Sequence, residues 1–158
     1  MTTQKHEHIP NISLEPSSPG KMLYDAHLKL SAGLVERLAA EGYDISINAW
    51  AILNLLWEKD ELPQFEISEH ISRDRHQTSR LIDSLDRQGL ATRVASTEDK
   101  RIKLVVLTEE GKQARVTLRS ASRDYLETIF RGLSQDDYDC FLRCLTHITT
   151  STSDRKKI

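Results

Sequence analysis

Residues 81–101, LIDSLDRQGLATRVASTEDKR, constrain this chain more than any other stretch. They read as the end of a helix, a glycine that stops it, a short strand and a polar tip that closes on Lys100 and Arg101. Residues 102–107, IKLVVL, then supply a returning strand in which Val105 and Leu107 alternate against Leu104 and Val106. The connection over residues 96–101 is longer than the two-residue loop of a minimal hairpin, so its tip projects from the sheet.

Upstream, residues 75–88 carry the sharpest periodicity in the protein. At a helical period, Thr78, Leu81, Ile82 and Leu85 fall on one side, and His76, Gln77, Arg80, Asp83, Ser84 and Arg87 on the other. Gly89 ends that helix as a left-handed cap residue. Before it, residues 66–71, EISEHI, form a short helix with Ile67 and Ile71 turned inward. A short helix, a tight turn, a two-faced helix and a charged hairpin are the parts of a winged helix-turn-helix. The expected fold is therefore mainly α with a small β wing, flanked by dimerisation helices.

The flanks are helical. Residues 1–18 are polar and read as a disordered arm, and Ser18 followed by Pro19 suits an N-cap with proline at the first helical position. Leu23, Leu30, Leu34 and Leu38 mark a helix over about 19–40, and residues 46–58 a second helix covered on more than one side. Residues 58–65, with Pro63, read as a loop. Thr108 is the N-cap of a helix that runs to about residue 131, with Glu109 and Glu110 in its first turn. Ser134 to Asp137 has cap spacing, and Leu133 and Tyr138 are placed to staple across it. Phe141, Leu142, Leu145 and Ile148 supply an apolar face before the chain frays from residue 149. This divides the chain into an arm (1–18), a winged helix-turn-helix (45–108), a helical dimerisation region (19–44 with 109–150) and a frayed tail (151–158). The end helices carry apolar stripes that one small chain does not bury, which points to a twofold dimer.

Composition narrows the function class. Two cysteines, Cys140 and Cys144, are too few for a disulfide framework, and at i, i+4 they read as small apolar fillers of a dimer interface. With no signal peptide and no apolar run near the roughly 20 residues that span a bilayer, the expected location is the cytoplasm. The formal net charge of −2 does not advertise a nucleic-acid binder. Binding depends on where the cations lie, however, and the acidic runs 58–61 and 136–139 stand apart from the hairpin. No Ser/His/Asp order, glycine-rich phosphate loop or HExxH is present, so neither catalysis nor a cofactor is expected. His6 and His8 lie in the polar arm and are not read as a metal site.

The chain resembles a regulator of the MarR (multiple antibiotic resistance) family over about residues 45–114. ISINAWAILNLL resembles the helix before the family's DNA-binding helices, and EISEHI stands in the place of its next helix. TSRLIDSLDRQGLATR resembles the recognition helix, turn and first wing strand. EDKRIKLVVLTEEG resembles the most diagnostic segment, an Asp-x-Arg wing followed by a strand and Leu-Thr-x-x-Gly. The resemblance implies a dimeric winged-helix protein on pseudo-palindromic operators, in many members a repressor released by a small ligand such as an aromatic acid. By it, Arg80 corresponds to the recognition-helix arginine, and Asp99 and Arg101 to the wing pair. The chain departs from the family at Ser68, where alanine is common, and in the charged run from Arg73 to His76. It also lacks the N-terminal cysteine of the peroxide-sensing branch.

The expected function is sequence-specific regulation of transcription on double-stranded DNA. The helix over 75–88 enters the major groove, whose edges carry a distinguishable donor and acceptor pattern. Arg75, His76, Gln77, Ser79, Arg80, Ser84 and Arg87 are its contact candidates. Lys100, Arg101 and Lys103 of the wing meet sugar-phosphate or the minor groove, and Asp99 fixes Arg101 or caps the wing turn. Leu23, Leu30, Phe141, Leu145 and Ile148 are expected at the dimer interface. Tyr24, His27, Trp50 and Trp57 are expected near a pocket for a small aromatic or anionic effector. The alternative reading is a winged-helix module that binds protein without reading DNA.

Overall fold

The computed structural model describes residues 18–153, so the expected arm over residues 1–17, with His6 and His8, and the tail beyond residue 153 lie outside the described residues. Helix α1 (Pro19–Ala40) starts at Ser18, whose hydroxyl accepts from the Lys21 N–H, with proline in the first turn. Helix α2 (Ile47–Glu58) is capped in the same way by Ser46 on the Ala49 N–H. Six of its residues are buried, including Trp50 and Trp57, as a helix covered on several sides requires. Strand β1 (Glu61–Pro63), helix α3 (Gln64–His70) and helix α4 (Arg75–Arg87) follow. Strands β2 (Ala91–Ala95) and β3 (Lys103–Leu107) form the wing, and helices α5 (Glu109–Phe130) and α6 (Gln135–Ser153) complete the chain.

The segment expected as a loop before α3 is partly strand. Residues 61–63 pair antiparallel with β3, Leu62 opposite Val105, giving a three-stranded sheet in the order β1-β3-β2. Pro63 sits at the end of this edge strand, where a missing N–H costs no ladder bond, and then serves as the N-cap position of α3. Helix α3 accordingly starts two residues earlier than its apolar spacing suggests. At the other end, α6 continues through Ser153 instead of fraying at residue 149. The hydroxyls of Thr146, Thr149 and Thr150 bond back to carbonyls one turn earlier, which accommodates these residues in a helix.

A single core joins α1 through Leu34 and Leu38, α2 along most of its length, and Ile67, Ile82 and Leu85 of the reading helices. The sheet adds Leu62, Ala91, Val105 and Leu107, and α5 adds Ala114, Leu118 and Ala121. The Leu-Thr-x-x-Gly segment is a junction in this core. The Thr108 hydroxyl accepts from the Gly111 N–H and donates to the Gly89 carbonyl. The Gly111 carbonyl takes the Trp57 indole N–H at 2.9 Å. A side chain at Gly111 would collide with the Leu90 carbonyl, so glycine is required by close approach.

Helix α6 contributes no buried residue among those described. Its first turn is capped as expected, Ser134 accepting from the Asp137 N–H at 3.2 Å. The expected staple is different, however: Tyr138 packs edge-on against Phe130, ring centroids 5.3 Å apart, while Leu133 is exposed. Cys140 and Cys144 are free and exposed in the single chain.

Candidate nucleic-acid interface

The turn between α3 and α4 is made by Ser72, which adopts φ 51°, a left-handed conformation uncommon for a residue with a side chain. Asp74 caps α4 by accepting from the Gln77 N–H at 2.8 Å. Thr78, fully buried at the start of α4, is satisfied by donating to the Asp74 carbonyl at 2.9 Å. Ile82 and Leu85 are buried and Leu81 half-buried on the same side. These contacts press the apolar side of α4 on the core and turn Arg75, His76, Gln77, Arg80 and Arg87 to solvent. Ser84 is half-buried at the margin.

Two residues of the polar side are engaged otherwise. The Ser79 hydroxyl and carbonyl each accept from Nη2 of Arg93, both at 3.0 Å, and Asp83 accepts from its Nη1 at 2.5 Å. Nε of the same guanidinium donates to Gln64 of α3 at 3.1 Å. Arg93 thus ties β2 to both reading helices. The sequence reading missed it: only the sheet register sets Arg93 opposite buried Val105, two residues from buried Ala91, where an arginine needs an acid.

The wing tip is a built turn. Ser96 is buried and accepts from the N–H groups of Glu98 and Asp99, and its own N–H donates to Ile102. Asp99 accepts from the Arg101 backbone N–H at 2.9 Å, so of its two expected roles it takes the one of turn cap. Lys100, Arg101 and Lys103 are exposed.

A cavity of about 490 Å³ opens between the wing and the reading helices, with Arg75 on one side and Arg101 and Lys103 on the other, over Phe65 and Glu69 of α3. Beside it a polar cleft of about 420 Å³ again includes Arg75 and Lys103, together with His76 and Ser79. On the far side of α4, Gln77 and Arg80 share a depression with Asn48 and Arg73, neither of which is among the contact residues expected from the sequence. The ion pairs among the described residues take Lys21, Arg37, Arg93 and Lys112, and none takes a cation of α4 or of the wing tip. The cations of these two elements thus stand outside the ion pairs of the described residues, on adjoining surfaces of a chain whose net charge is −2.

The four residues expected near an effector pocket are not placed alike. Trp50 and Trp57 are buried in the core, in edge contact at 5.4 Å, with Arg119 over the Trp57 ring. Tyr24 and His27 are exposed on α1, the latter within reach of Ser31. Both indoles are packed against neighbours of the same chain, which corrects the expectation that they line a pocket. A cavity of about 450 Å³ lies instead at the α5–α6 elbow, lined by Arg119, Arg123, Phe130 and Tyr138 among others.

A family model for the MarR family matches residues 45–103, from the start of α2 to the returning strand of the wing. The HTH-type transcriptional regulator PrsX of Escherichia coli is 30% identical over 118 residues, which cover 73% of this chain and 70% of the relative. The chain belongs to the MarR family. It is a DNA-binding transcriptional regulator of the winged-helix type. Among solved structures, it is similar to the transcriptional repressor CouR bound to a 23-mer DNA duplex, with a TM-score of 0.77, 21% identity, and coverage of 87% of this chain and 99% of that one. It is also similar to a variant of MarR from E. coli complexed with operator DNA, with a TM-score of 0.74, 22% identity, and coverage of 82% and 91%. These two likenesses concern the fold. No helix among the described residues is long and apolar enough to cross a membrane.

Proposed function

We propose that this regulator is a cytoplasmic repressor that acts as a homodimer on a pseudo-palindromic operator. Helix α4 lies in the major groove, with Gln77 and Arg80 at base edges and Arg75, His76, Ser84 and Arg87 at bases or phosphates around them. The wing follows the backbone, with Lys100, Arg101 and Lys103 on sugar-phosphate or in the minor groove. The observation that carries this reading is the run of unpaired cations from Arg75 and Arg80 to Arg101 and Lys103, gathered by folding from distant parts of the chain. Ser79 stays at the margin of the interface because its hydroxyl is held by Arg93. Support for the duplex also comes from CouR, a repressor by its description, bound to a 23-mer. Such a length accommodates two half-sites about one helical turn apart.

Homodimerisation is supported by the outer helices. Leu23, Phe141 and Ile148 are exposed in the single chain, and Leu30 and Leu145 only half-buried, on the N-terminal part of α1 and on α6, neither of which supplies a core residue. The effector belongs to the same proposal: a small aromatic or anionic compound alters DNA affinity only by favouring one spacing of the two reading heads. With both tryptophans in the core, Tyr24 and His27 are the expected residues left free to meet it.

The test is affinity for an operator duplex, selected from a random pool by the protein itself, and for a scrambled duplex. Gln77→Ala is expected to weaken operator binding by about 10-fold or more, as loss of a bidentate base contact does, with scrambled binding nearly unchanged. Arg80→Ala is expected to weaken operator binding at least as much. Unchanged binding to both duplexes in both variants overturns the placement of α4.

A further inference from the structure

We propose that Arg93 is a positioning residue for sequence readout: it fixes the angle and span between the recognition helix and the wing without touching DNA. The proposal rests on the DNA reading above. Its basis is a single guanidinium, carried by β2, that bonds two other elements at once, Gln64 of α3 and Ser79 and Asp83 of α4.

Arginine has five N–H donors on three nitrogens, and all three nitrogens are engaged, in four hydrogen bonds to these partners. The Arg93 side chain is only 21% exposed, against 48% for Asp83. It is therefore unlike Arg101, whose head is free for an anion. The charge of Arg93 is already neutralised, and its planar fork is directed at the helix.

Ser79 and Asp83 are one helical turn apart, so they lie on one face of α4. A planar group bonded to both resists rotation of α4 about its own axis. A main-chain carbonyl among the acceptors means that the helix backbone itself is held, in addition to two side chains. Gln64 adds the helix before it, so the tie spans the whole reading unit.

Base readout needs donors and acceptors held to about 0.5 Å, whereas attraction to phosphate depends mainly on the number of cations near the backbone. Loosening this tie should therefore reduce discrimination between sequences and leave salt-dependent, non-specific binding in place. Asp83 gains a role from the same geometry. An acid on the surface that meets DNA is tolerated because its charge is matched by Arg93.

The test compares Arg93→Gln, Asp83→Asn and Gln64→Ala in the full chain. Each is titrated with the selected operator and a scrambled duplex over a range of salt. The expected result is a fall of about 10-fold in the operator-to-scrambled affinity ratio for Arg93→Gln, from lost bidentate base contacts. Asp83→Asn should lower the same ratio, and the double variant should be no worse than Arg93→Gln alone, because the two act as one unit. The salt slope on scrambled DNA should stay as in the unaltered protein for Arg93→Gln.

A second readout needs no DNA: the Arg93 Nε–H should give a slowly exchanging NMR signal, lost in Gln64→Ala. A slope lower by about one in Arg93→Gln would mean that Arg93 itself holds a phosphate, and would overturn the proposal. So would an unchanged ratio in both Arg93→Gln and Asp83→Asn. Should Arg93→Gln fail to fold, Asp83→Asn and Gln64→Ala decide the matter, since both keep the cation. If the unaltered protein enriches no sequence from the pool while the Nε–H is protected, the DNA reading fails and the tie stands.

Discussion

Replacing Gly111 by alanine is the most direct test of how the wing is held to the rest of the molecule. The new methyl carbon would lie 1.9 Å from the Leu90 carbonyl oxygen and 2.8 Å from its carbonyl carbon, where real Cβ contacts do not come below 3.0 Å. The obstacle is backbone, so α5 or the start of β2 has to retreat by about 1 Å. Three bonds converge there: Thr108 N–H to Leu90 O at 3.1 Å, the Thr108 hydroxyl to Gly89 O, and the Trp57 indole to Gly111 O at 2.9 Å. Overpacking of this kind costs about 1–3 kcal/mol. Weakening the buried Trp57 bond costs about another 1–3 kcal/mol. Against these, alanine favours a helix over glycine by about 1 kcal/mol. The net expectation is a loss of about 3 kcal/mol, or about 6–12 °C in melting temperature for a chain of this size.

Gly33→Ala is the matched control. Its Cβ would also meet an atom too closely, at 2.3 Å, but that atom is the Tyr125 hydroxyl oxygen at the end of a side chain that can swing aside. Its cost should be about 1 kcal/mol or less. Thermal unfolding followed by circular dichroism, and urea unfolding followed by tryptophan emission, measure both. A Gly111→Ala protein that melts with the unaltered one, or no earlier than Gly33→Ala, would refute the steric argument.

Two other outcomes are expected. Arg101→Glu should weaken operator and scrambled duplexes alike and lower the slope of log affinity against log salt by about one or more; a preserved slope in a salt titration would place Arg101 away from DNA. Leu145→Asp, on the apolar side of α6, should convert a dimer into monomers in analytical ultracentrifugation at micromolar protein and abolish tight operator binding; an unaltered protein that already sediments as one chain would overturn the dimer.

Local patterning made much of this protein legible. The two-sided period of residues 75–88 placed Thr78, Ile82 and Leu85 in the core and Gln77 and Arg80 outside it, because a single helix buried on one face leaves its period in the composition. Caps were equally readable: Ser18, Thr108 or Ser134 before a helix satisfies an N–H of its first turn. These are interactions over three or four residues, and the information for them is contiguous.

What the tertiary structure alone decided depends on partners far away in the chain. Strand β1 has three residues and a proline, and no local pattern distinguishes it from a loop until β3 offers its edge. The tryptophans are expected near a pocket from the sequence; the Gly111 carbonyl, 54 residues from Trp57, holds the latter in the core. Arg93 is the clearest case. Its neighbours in sequence are a threonine and a valine, and its role comes from an acid on one helix and an amide on another, which meet only when the sheet has formed. Side-chain spacing records the face a residue turns, but an arginine's partner is chosen by where three separate elements pack.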